Sequence, residues 1–189
     1  MIRVALSFFS VVILSTLASC SGSSQYEVAK NKVGLIDSQT IVDDIETIFK
    51  NDSVVKRLSE GLLGIPGAYV QEDDKYLIYE KGGKHLLTIT PKEPLDSLST
   101  IRFVDIFDEK YKTKDGLGLN STFQEIDLLA HINKIEPTFT KVTLFFDKLN
   151  ATMTLDKTEL GIKTINTKEV LKEQIPDLVK PKTFVVWFD

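Results

Sequence analysis

The chain opens on a solid apolar block and then settles into two alternating periods. Residues 4–17 are apolar apart from Ser and Thr, and Met1-Ile2-Arg3 precedes them. Past residue 34 the apolar positions thin out. Ile41, Ile45, Ile48 and Phe49 recur at the spacing of one helical face, with Asp43, Asp44 and Glu46 between them. Ser38 or Thr40 is placed to cap that helix. A second helix is expected over 53–60, closed by Gly61 or Gly64 and then Pro66. The period then drops to two. Residues 68–71, 76–80 and 85–90 read as strands, joined through Asp73-Asp74 and Gly82-Gly83, and 101–107 adds a fourth beyond Pro91 and Pro94.

The later part runs through similar events. Phe123, Ile126, Leu129 and Ala130 mark a helical face behind Ser121 or Thr122, with Gln124, Glu125 and Asp127 outside. Strands are expected over 142–146 and 151–155 around a turn at 147–150. A short helix at 169–175 should stop at Pro176, and 184–188 forms a last strand. Gly34-Leu35 through Thr40-Ile41 can be laid on Gly116-Leu117 through Thr122-Phe123, with glycine, leucine and threonine coinciding. The expected class is therefore α+β: short helices packed on antiparallel sheet. The candidate tandem helix-plus-meander repeats are 34–110 and 111–189.

Composition changes this picture little. The chain is 42% hydrophobic and 26% charged, as an ordinary globular domain is. Arg3 is the only charge among the first 19 residues, so 22 basic residues against 27 acidic leave a net charge of −5 beyond them. That balance disfavours nucleic acid as a partner, because phosphate binding needs a basic patch. Lys110, Lys112 and Lys114 are interleaved with Asp108, Glu109 and Asp115, which makes a mixed solvated run.

The opening block has the charged start and apolar centre of an export signal, and it is too short to span a bilayer. It closes on Leu17-Ala18-Ser19-Cys20, and Cys20 is the only cysteine. This tetrapeptide resembles the lipobox of bacterial lipoproteins. The resemblance implies a signal peptide over 1–19, cleavage before Cys20, and acylation of its thiol and new amino group. Residues 20–33, beginning Cys20-Ser21-Gly22-Ser23-Ser24-Gln25, would be the lipidated flexible tether. The membrane partner would then be reached through lipid on Cys20. Ser21 does not resemble the aspartate that retains such proteins in the inner membrane, so the expected place is the outer membrane, facing the periplasm.

Tyr111-Lys112-Thr113-Lys114-Asp115-Gly116-Leu117-Gly118-Leu119-Asn120-Ser121-Thr122 is a strand end, a Gly-led turn and a helix cap. With the repeat, it resembles the helix-pair-plus-sheet modules of the β-lactamase-inhibitor protein and of BamE-type outer-membrane lipoproteins. That resemblance implies a module that binds other proteins and catalyses nothing.

The chemistry-bearing residues offer no stronger motif. Gly116 and Gly118 lie before a helix N-terminus that could receive an anion, with Lys112 and Lys114 nearby. The spacing lacks a dinucleotide or P-loop pattern, and positive φ in tight turns explains both glycines. Ser53-Val54-Val55-Lys56 matches SxxK, without the other elements that penicillin-binding enzymes require. His85 and His131 have no HxH or HExxH partner, so no metal or cofactor is expected. Asp73-Asp74, and Asp105 with Asp108-Glu109, read as a turn and a strand end before they read as catalytic pairs. Phe145 and Phe146, and Trp187 and Phe188, should each split between two faces of a strand, one filling the core and one needing cover. The expectation is a non-enzymatic envelope lipoprotein that binds an envelope or secreted protein. The alternative is a small-ligand or glycan binder using a cleft between the halves. Lys112, Lys114, Gly116, Gly118 and Trp187 are the candidate binding residues.

Overall fold

The computed structural model describes residues 25–59, 73–161 and 169–189. Cys20, the signal block and the strand expected at 68–71 lie outside them. Among the described residues twelve strands form two sheets. The smaller comprises β1 (Glu27–Ala29), β2 (Lys32–Val33), β3 (Ile36–Asp37) and β8 (Lys112–Thr113), in the order β3-β2-β1-β8. The β1–β8 pair is parallel.

The larger sheet holds two antiparallel meanders. One is β4 (Ser53–Arg57), β5 (Lys75–Tyr79), β6 (His85–Pro91) and β7 (Ile101–Ile106). The other is β9 (Lys134–Pro137), β10 (Lys141–Phe146), β11 (Ala151–Asp156) and β12 (Thr183–Trp187). They meet at their last strands, giving the order β4-β5-β6-β7-β12-β11-β10-β9.

Period-two patterning explains the sheet's two faces. In β10, Val142, Leu144 and Phe146 are buried while Thr143 and Phe145 are half-buried on the other face. The register carries the apolar row across the join: Leu144 opposite Met153, Met153 opposite Phe184, Phe184 opposite Ile106, Ile106 opposite Leu87. All five belong to one hydrophobic core. β6 is buried along almost its whole length, which fits its run of Leu, Thr and Ile.

The α+β expectation is corrected: this is a β-rich fold. The two α-helices among the described residues, α1 (Ile45–Ile48) and α2 (Phe123–Leu129), are short and add only a few side chains to the core. Residues 53–59 do not form a helix. Ser53–Arg57 is the sheet strand β4, held by pairing with β5; its β-branched Val54-Val55 suits a strand, in which Val54 turns toward the core and Val55 outward. The helix expected at 41–49 shrinks to a 3-10 turn, Val42–Asp44, and the single turn of α1. Neither Ser38 nor Thr40 caps it. The Thr40 backbone N–H and hydroxyl instead bond to the Asp37 carboxylate, at 3.1 and 3.2 Å, in a local turn. Of the helix expected at 169–175, only the 3-10 turn Lys172–Gln174 forms. The tether reading of 20–33 is corrected as well, since β1 and β2 place residues from Glu27 onward in the folded domain.

α2 follows its sequence closely. Thr122 Oγ1 accepts the Glu125 N–H at 3.3 Å, and the Glu125 carboxylate accepts the Thr122 N–H at 2.8 Å, a complete capping box. Thr122→Ala is expected to cost about 1 kcal/mol of unfolding free energy, measured by chemical denaturation.

Candidate functional site

Two surfaces carry concentrations of functional side chains: a pocket beside the small sheet and the outer face of the large sheet. The pocket has a volume of about 410 Å³. It opens between β1, the β8–α2 loop, the end of α2 and the β10–β11 turn. Its walls are apolar, supplied by Val28, Ala29, Leu117, Leu129, Ala130, Phe146, Leu149 and Met153. Lys30, Thr113, Lys114, Lys148, His131 and Asp115 complete the lining. The volume falls within the ~300–1,000 Å³ common for small-ligand sites.

Each wall has a local cause. Parallel pairing of β1 with β8 sets Val28 beside Thr113. Gly116, at φ +91°, turns the chain after β8. Gly118 serves another purpose than the positive φ expected of it. A Cβ there would lie 2.8 Å from the Tyr111 carbonyl oxygen, so the loop can fold back on Tyr111 only with glycine. Ser121 Oγ also accepts the Gly118 N–H at 3.1 Å. This folded loop holds Leu117 buried and leaves Lys114 exposed at the pocket.

Of the candidate binding residues, Lys114 lines the pocket, and Lys112, Gly116 and Gly118 build the loop beside it. Trp187 lies elsewhere. The pocket is not a cleft between 34–110 and 111–189, because none of its lining residues falls within 34–110; β1 supplies the opposing wall. Val28, Ala29 and Lys30 were missed because their stretch reads as tether, and three-residue strands carry almost no periodic signal. The α2 N-terminus, where the sequence would also allow an anion, has its N–H groups taken up within the protein. The N–H groups of Phe123 and Gln124 donate to the carbonyls of Val179 and Asp177 at 2.8 and 3.0 Å, and the capping box uses those of Thr122 and Glu125.

The outer face of the large sheet is aromatic. Phe103 and Trp187 are cross-strand partners with ring centroids 4.9 Å apart, and Arg102 lies over the Phe103 ring. Trp187 is 39% exposed, whereas Phe188 and Phe146 are buried. Phe145 sits farther along the same face with Lys134 over its ring. His85 is sandwiched between Tyr79 and Phe107, with centroids at 4.8 and 4.0 Å. Its Nε2–H donates to the Leu87 carbonyl at 3.0 Å, and burial pushes its pKa below the usual histidine range. The neutral ring therefore serves as a packing element.

Asp105 lies on this face opposite Thr88 and Val185, and burial raises its carboxyl pKa. A raised acid favours the folded state below its unfolded pKa and loses that contribution as pH rises through the folded value. Asp105→Asn should therefore stabilise the protein at pH 7, with the advantage disappearing near pH 3, as read by melting temperature across pH.

Among the described residues no group of three or more His, Cys, Asp or Glu side chains could hold a metal ion. No helix there is long and apolar enough to cross a membrane. No protein-family model matches the sequence, and no curated protein is similar to it. The fold is similar to that in the crystal structure of the uncharacterized protein yfeY from Escherichia coli. The TM-score is 0.53 at 12% identity, covering 86% of this chain and 99% of that one. The likeness concerns the fold alone.

Proposed function

We propose that this chain is a lipid-anchored protein of the bacterial envelope that acts by binding, without catalysis, and that the pocket beside β1 is its binding site. The observation that carries the reading is the pocket's make-up: an apolar wall with lysines at the same site. Burying a ligand methylene against such a wall contributes about 0.8 kcal/mol, and polar groups at the mouth then select orientation. The lipobox at 17–20 supports the anchor. Its spacing from β1 leaves the domain close to the membrane surface.

A second reading, binding of an envelope or secreted protein, draws on the exposed Trp187 and its half-buried neighbour Phe103. Aromatic side chains beside an arginine are the composition of interface hot spots.

A photo-reactive benzophenone amino acid placed at position 129 or at position 187 in cells separates the two. Small-molecule adducts at 129, with no protein-sized product at either position, are the expected result. A discrete protein-sized product at 187 with none at 129 would transfer the function to the outer face.

A further inference from the structure

We propose that the pocket takes the acyl chain of an anionic lipid from the membrane that holds Cys20, and that Lys114 and Lys148 hold its head group. The inference rests on the pocket being the binding site and on Cys20 carrying the anchor. It adds the ligand's class and source.

Charge supplies the first argument. The chain beyond residue 19 carries a net charge of −5, yet the pocket collects three lysines against Asp115 as its single acid. Lys30 is engaged by Asp189 at 3.3 Å. Lys114 and Lys148, from two separate loops, make no ion pair among the described residues. Two cations over an apolar wall fit a ligand with an anionic head and a hydrocarbon tail. They do not fit a sugar, which would leave the wall of Leu129, Phe146 and Leu149 unmatched.

Chain length supplies the second. Seven residues separate Cys20 from Val28 on the pocket wall, eight Cα-to-Cα steps in all. Fully extended, they reach about 28 Å. An acylated Cys20 therefore keeps the pocket within that distance of the lipid head groups. The amphiphile at highest local concentration is membrane lipid.

The test uses the full-length, lipidated protein in phosphatidylcholine vesicles. These carry a trace of a diazirine-tailed lipid, either phosphatidylglycerol or phosphatidylcholine with the same tail. Adducts are mapped by mass spectrometry, and adducts outside the pocket serve as the reference. The anionic probe should label Leu129 and Leu149 about fivefold more than the zwitterionic one, the scale of one exposed ion pair. Lys114→Glu with Lys148→Glu should abolish the difference, and Ala130→Trp, which fills the pocket, should remove labelling by both. Equal labelling by the two probes, lost in Ala130→Trp, would overturn the anionic class while keeping the pocket as the site. No pocket labelling by either probe would overturn both readings.

Discussion

Phe184→Ala is expected to lower the free energy of unfolding by about 3–5 kcal/mol, the cost of emptying a fully packed aromatic site. Phe184 has no exposed surface. It lies on β12, where the two meanders join, opposite Ile106 on one side and Met153 on the other. A cavity there removes contacts from both halves of the sheet at once. Relaxation is restricted because β12 is hydrogen-bonded along both edges. Trp187, the single tryptophan and a near neighbour on the same strand, reports unfolding by fluorescence in guanidinium. A loss below about 1 kcal/mol would mean that the site collapses freely and that the join is not a packed centre.

Asp74→Ala should cost about 3 kcal/mol, because it orphans two backbone donors together. Asp74 is 2% exposed. Its Oδ1 accepts the Ser59 N–H and its Oδ2 the Leu95 N–H, both at 2.7 Å. The carboxylate therefore ties the end of β4 to the β6–β7 loop. It also holds Leu95 at φ +58°, a conformation that costs a side-chain-bearing residue roughly 1 kcal/mol or more. Asp74→Asn keeps one acceptor and should lose less than Asp74→Ala, as read by the same denaturation curves. Equal losses for the two variants would indicate that the pair of hydrogen bonds does not act through both oxygens.

The strands at 76–80, 85–90, 101–107, 142–146, 151–155 and 184–188 were legible to within about two residues at each end, the usual ambiguity of element boundaries. Each combines strict alternation, or a continuous apolar run, with a flanking turn. α2 was legible too, because Thr122 and Glu125 write a capping box three residues apart. The class was misjudged where local patterns are short. Ser53–Arg57 holds only two apolar side chains, so spacing could not separate strand from helix, and long-range pairing with β5 decided it. β1, β2 and β3 are two or three residues long, and what stabilises them is the tertiary pairing and the buried Val28, Val33 and Ile36. The same gap hid half of the pocket. Lys114 was visible as a loop lysine, but Val28 and Lys30 become pocket residues only when β1 pairs with β8. Trp187 was found by alternation, which also places it on the face away from the core.

The most direct measurement of the central claim uses Met153. The chain has two methionines, Met1 and Met153, so removal of the proposed signal peptide would leave Met153 alone, and it lines the pocket. Methyl-13C-methionine labelling of the lipidated protein in phosphatidylcholine nanodiscs, which hold no anionic lipid to occupy the pocket beforehand, therefore yields one reporter resonance at the site. Titration with myristate should shift it saturably in the wild type and leave it fixed in Ala130→Trp, with Trp187 emission unchanged in both. A Met153 resonance that does not move in the wild type would contradict the pocket as a binding site for an acyl chain.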